Sequence, residues 1–264
     1  MNAETAAGRP VRTWRPMIFW SAGILLALGL AWFVAAVAVP CWRVRIFVKD
    51  EPPNGLQNWE RLGGERRACE RLGRYLCWPD WLAPHKDRAV ELLACCDGGP
   101  ERVTAVLCDE RAPLASRLAI AESLGRAWDS DMDKGDAWRH EALVKAMKSR
   151  IGQLRVAAAG ELLGHPELVL WGSVRDSALA ELLVCLKDGD VLVRREAARA
   201  LRSLATNIEG LGSSEVGRRF APTMEPALQA ALDDPDPEVR AEAAEALKHK
   251  LVKPVKRLGR GYFS

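Results

Sequence analysis

Asp129, Asp131 and Asp133 stand two apart and are followed by Lys134 and Gly135. Alternating carboxylates beside a glycine form the ligand pattern of a calcium loop. The register is off by one: a helix–loop–helix calcium site wants glycine sixth and glutamate twelfth, and here Gly135 is seventh and Glu141 thirteenth. A solvated acidic turn is the expectation. Cys95, Cys96 and Cys108, with His85 near them, offer soft ligands. Zinc sites draw on closely spaced pairs, and the chain has neither a Cys-x-x-Cys nor a His-x-x-x-His pair. No Gly-x-Ser-x-Gly elbow and no Gly-Lys-Ser/Thr phosphate loop occurs. Gly210 and Gly212 follow no strand pattern. No catalytic residue, cofactor or metal is expected, and no enzyme activity.

The residues with a pattern are arginines. Arg117, Arg155, Arg194 and Arg240 recur at separations of 38, 39 and 46 residues. Four residues after each comes Ala121, Ala159, Ala198 or Ala244. Seven after comes Leu124, Leu162, Leu201 or Leu247. A small residue and a leucine three apart share one helix face and let a neighbouring helix lie close. Asp190 and Asp236 precede the last two arginines by four, where each is placed to cap its helix, and Pro237 suits the first turn. Arg194 and Arg240 are therefore expected to be structural, reaching a carboxylate on the loop between repeats.

The elements that carry these arginines come in pairs. Turn residues and apolar spacing predict helices over about 101–108 and 113–127, 137–149 and 153–164, 173–187 and 191–205, and 219–232 and 237–250. Residues 206–217, with Gly210, Gly212, Ser213 and Ser214, read as an inserted loop. Upstream, helical patterning starts near Trp59 and runs through Leu62, Ala68, Leu72 and Leu76 with an interruption at Gly63–Gly64, and a second helix covers about Lys86–Cys96. The composition agrees: 48% of residues are hydrophobic but only five are Phe and two Tyr, so Ala and Leu supply the apolar mass. That suits packed helices better than sheets.

The motif resembles the HEAT repeat, especially the short bacterial variety also found in phycobilin lyase subunits, whose core reads Asp-x-x-Val-Arg-x-x-Ala-Ala-x-Ala-Leu. Residues 190–201 and 236–247 match it closely. The earlier copies depart, with Pro113 and Ile151 where aspartate stands and Ser116 and Leu154 where valine is usual. The resemblance covers about 101–250, with 59–98 as a degenerate start. It implies a right-handed α-solenoid of antiparallel helix pairs whose second helices line a concave face. It also implies a scaffold or adaptor that binds proteins. The alternative is a lyase-type or ligand-binding HEAT protein gripping a tetrapyrrole-like molecule, which calls for acids and aromatics in the concavity.

Positions one, five and eight after each repeat arginine should face into that concavity. The second copy reads Val156, Gly160, Leu163 and the third Arg195, Arg199, Arg202. An apolar floor meeting an arginine row predicts a site for an amphipathic segment with an acidic end. Nucleic acid is not expected, because Glu122 and Glu245 interrupt any basic face and the net charge is only +3.

Met17–Val39 is a run of 23 residues without a charge. As a helix it would be about 35 Å long, enough to cross a bilayer core. Trp14, Trp20 and Trp42 lie near its ends. The expected plan is a basic arm over 1–16, a single transmembrane helix over 17–40 in contact with lipid, a juxtamembrane linker over 41–58, the solenoid over 59–250 and a basic tail over 251–264. Arg9, Arg12 and Arg15 on one flank balance Arg43, Arg45 and Lys49 on the other, leaving orientation open. A short basic arm held inside favours an extracytoplasmic solenoid.

Overall fold

The computed structural model describes residues 28, 39–50, 59–79, 83–126, 137–164, 172–210 and 214–249. Among them are eleven α-helices of at least nine residues and no strand: α1 Val39–Asp50, α2 Glu65–Leu76, α3 Lys86–Ala94, α4 Gly99–Cys108, α5 Leu114–Arg126, α6 Ala137–Ala146, α7 Gly152–Gly164, α8 Gly172–Cys185, α9 Val191–Gly210, α10 Ser214–Ala231 and α11 Pro237–Lys248. From α2 onward each odd-numbered helix packs on the even-numbered helix before it, and the odd-numbered helices also stack on one another in the order α3, α5, α7, α9, α11. The protein is an all-α repeat solenoid.

The repeat spacing does the packing. Ala121, Ala159 and Ala198 and Leu124, Leu162 and Leu201 are wholly buried. Burying one such leucine contributes about 2 kcal/mol, so the repeated position holds the stack together. In α11 the same positions are less covered: Ala244 is exposed and Leu247 half-buried. Asp236 caps α11, accepting from the backbone N–H of Glu238 at 3.0 Å and of Val239 at 3.1 Å.

Three expectations need correction. Residues 39–50 of the anticipated span end and linker form α1. Val44, with Phe47 and Val48 three and four residues on, is buried with them against α2 and α3, while Arg43 and Arg45 face solvent. Residues 206–210 and 214–217, read as parts of an inserted loop, are helical. Leu204, Ala205 and Ile208 keep the core-facing spacing, so α9 runs on to Gly210 and α10 begins at Ser214. The membrane localisation is overturned: among the described residues no helix is long and apolar enough to cross a membrane. Helix α1 begins at the last residue of the charge-free run and buries Val44, Phe47 and Val48 on protein, while Trp42 and Ile46 are exposed. The rest of that run, apart from Leu28, the arm over 1–16, the acidic turn over 129–136 and the tail over 251–264 lie outside the described residues.

The turn before α2 uses Gly63 and Gly64 at φ of 87° and 92°, a region that glycine enters without strain. Gly99 is needed for a different reason. A Cβ there would lie 1.6 Å from the Leu93 carbonyl oxygen, because α4 starts hard against the end of α3. Gly99→Ala is expected to lower the unfolding free energy by about 2 kcal/mol, read as a shift in urea midpoint.

Candidate functional site: a groove across three stacked helices

The repeat arginines are placed first by their own loops. Nη1 of Arg155 donates to the carbonyls of Ser149 and Arg150, both at 3.3 Å. Nη1 of Arg194 donates to Asp188 at 3.0 Å and Gly189 at 3.3 Å. Nη1 of Arg240 donates to Asp234 at 2.7 Å and Pro235 at 2.9 Å. Each therefore ties down the turn that precedes its helix.

The remaining guanidinium nitrogens reach forward to the next repeat. Arg194 clasps Asp234 through Nε at 2.9 Å and Nη2 at 3.2 Å. Arg155 reaches Asp188 at 3.4 Å and also Glu181 at 2.7 Å. Asp188 and Asp234 each accept their own loop's N–H two residues on, from Asp190 at 3.0 Å and Asp236 at 2.8 Å. One carboxylate thus shapes its loop and joins two repeats. In the first copy Ser149 holds this place, accepting from Ile151 N–H at 3.2 Å and from Arg117 Nη2 at 3.3 Å. Arg117 is 1% exposed, with Nε donating to the Leu107 carbonyl at 2.8 Å and Nη1 without a partner.

The arginine row of the third copy is spanned by acids of the fourth. Arg195 pairs with Asp236 at 2.7 Å and Glu238 at 2.9 Å. Arg199 pairs with Glu196 and Glu238, both at 2.7 Å. Arg202 pairs with Glu242 at 3.0 Å. The Arg195 guanidinium, with the α11 N-terminal amides, holds the Asp236 carboxyl down to about 2. These arginines form a seam between α9 and α11 and already have their counter-charges.

A groove of about 880 Å³ lies across α5, α7 and α9. Helix α7 is its floor because that helix carries Ala157, Gly160 and Gly164 there, while Leu118 and Glu122 of α5 and Leu192, Glu196 and Arg199 of α9 stand as walls. The structure thus brings Val156, Gly160, Leu163, Arg199 and Arg202 to one groove, and places Arg195 outside its lining. Val156 and Leu163 are only 3% and 2% exposed, so they support the floor from within the core. The partly covered apolar wall falls to Leu118 and to Leu192, which is 49% exposed.

Sequence reasoning missed Glu161. It also lines the groove, and its Oε2 occupies the space beside Gly125, where a Cβ would lie 1.7 Å from it. Burial, and then the neighbouring Glu122, push its carboxyl up to about 7, against a smaller pull from Arg126. The signal was available: the sixth residue after each repeat arginine is Ser123, Glu161, Ala200 and Ala246, a small-residue position with one acid in it. Among the described residues no group of three His, Cys, Asp or Glu side chains is arranged to hold a metal ion.

Stacked helix pairs with an arginine-to-loop ladder define a helical-repeat solenoid. Within it, residues 191–249 match the profile of the HEAT-like repeat. Solved structures similar to this chain include an engineered protein at 21% identity and TM-score 0.42, covering 78% of this chain and 95% of that one. A designed armadillo repeat protein matches at 17% identity and TM-score 0.45, over 78% of this chain and 99% of its own. Computationally designed armadillo repeat proteins for modular peptide recognition match at 16% identity and TM-score 0.46, over 81% and 99%. No curated protein sequence matches significantly.

Proposed function

We propose that this protein is a non-catalytic scaffold that holds a segment of another protein in the groove across α5, α7 and α9. The observation that carries the reading is the recessed floor of α7. Three adjacent small side chains leave a trough of about 880 Å³ between taller walls, on a surface otherwise laced with ion pairs. Helices in such a stack lie roughly 8–10 Å apart, so three of them span about 18 Å. That accommodates about six residues of extended chain. Among the described residues the lining holds acids but no aromatic ring, which disfavours the tetrapyrrole-gripping alternative.

The test is to fill the trough. A Cβ at Gly160 would come no closer than 3.5 Å, to the Ala200 Cβ, so a larger side chain can leave the backbone in place and project into the groove. Peptides selected on the wild-type chain from a displayed random library should bind Gly160→Phe at least tenfold more weakly, with the circular dichroism spectrum unchanged. Selected peptides that bind both proteins equally would place recognition elsewhere.

A further inference from the structure

The charge of the groove sets the chemistry of what fills it. The arginines near it are satisfied within the protein: Arg199 by Glu196 and Glu238, and Arg202 by Glu242. An acidic segment would have to compete with those carboxylates for guanidinium groups already engaged. The opposite holds across the groove. Among the described residues no hydrogen bond reaches the Glu161 carboxylate; Glu122 on the adjoining wall opposes its charge, and Arg126 draws it more weakly. Glu122 has only a loose pair with Arg126, at 3.9 Å on the exposed side of α5.

Glu161 cannot simply swing to a partner on its own helix. Its Oε2 is seated beside Gly125, in space that any other residue's Cβ would take. The seat holds an acid against a helix backbone at the edge of an apolar trough, where the charged form has lost water and gained no hydrogen-bonded counter-ion, only the weaker pull of Arg126. Such a group is stabilised by an incoming cation that brings its own hydrogen-bond donors.

We propose that the occupant of the groove is a protein segment presenting a lysine or arginine to Glu161 and Glu122, with a neighbouring apolar side chain lying over Gly160. The proposal rests on the groove being the docking surface and adds the sign and position of the charge it reads. It reverses the acidic partner expected from the sequence, because the arginine row that suggested it is spent on α11. The apolar component follows from Leu118, Leu192 and the bare floor of α7. The basic component follows from Glu161 and Glu122, two carboxylates of the lining that accept no hydrogen bond among the described residues.

The full chain serves for the test, with a displayed library of random twelve-residue peptides as probe. Peptides selected on the wild type should share a lysine or arginine at one fixed position beside an apolar residue. Their affinity should fall at least tenfold on Glu161→Gln and again on Gly160→Phe. Selection on Glu161→Lys should yield acidic residues at the shared position. A consensus without a basic position overturns the inference, as does a basic consensus indifferent to Glu161→Gln, while loss of binding on Gly160→Phe would leave the groove standing. Peptides indifferent to Gly160→Phe, or no selected peptides at all, would remove the groove reading as well.

Discussion

Glu161→Gln is expected to stabilise the protein by about 3 kcal/mol at pH 8 and to leave it almost unchanged at pH 4. The carboxyl titrates near 7 in the folded chain against an ordinary value of 4.5, because of burial and then Glu122. Between those two values the folded state keeps a proton that the unfolded chain has released. Raising the pH through this window therefore withdraws stability from the wild type, and above it the folded protein carries a desolvated charge that Arg126 only partly offsets. Glutamine keeps the shape and removes the charge, so the variant should lose the slope. Urea midpoints at pH 4, 6 and 8 read it directly. A wild-type to variant difference that is the same at all three would mean the carboxyl is not held as described. Gly125→Ala tests the seat separately, since its Cβ displaces the carboxylate to water and should flatten the same slope without removing the acid.

The parts of this fold legible in the sequence were those written in spacing along a single helix. Arg, Ala and Leu at intervals of four and three placed α5, α7, α9 and α11 to within a few residues, because burial on a helix face imposes that interval directly. The helix α1 had the same signal in Val44, Phe47 and Val48. It was masked by Arg43, Arg45 and Lys49, which read as the charged flank of a span. The continuation of α9 through Thr206 and Asn207 was hidden by local preference, since both residues favour turns until packing of Leu204 and Ile208 overrides them.

The groove was half legible. Its small-residue floor follows from Gly160 and its neighbours. Its sign does not follow, because apart from Glu196 the acids that neutralise Arg195, Arg199 and Arg202 belong to the next helix and its cap. Glu238 and Glu242 stand two residues either side of Arg240, and nothing within α9 announces them. Reading one helix at a time made the arginine row look available. The free charge was the acid at a position that three other copies fill with Ser123, Ala200 and Ala246.

The ladder that holds the repeats in register carries the second large effect. Arg194→Ala is expected to cost about 3 kcal/mol. It removes both bonds to Asp234, and it leaves the carbonyls of Asp188 and Gly189 without their donor. The pair is well covered, at 14% and 10% exposed, so water replaces these bonds poorly. The same logic predicts a gain two repeats earlier. Ser149 occupies the place of Asp188 and Asp234 and offers the buried Arg117 a hydroxyl where the later copies offer a carboxylate. Ser149→Asp supplies the missing rung and keeps the turn, since an aspartate oxygen can still accept from Ile151 N–H. It should stabilise the chain by about 1–2 kcal/mol. In the Arg117→Met background the gain should vanish, because the thioether has no charge to answer. Thermal unfolding of the four proteins of that cycle measures the coupling. A Ser149→Asp effect that persists without Arg117 would show that the rung acts on its own loop and not between repeats.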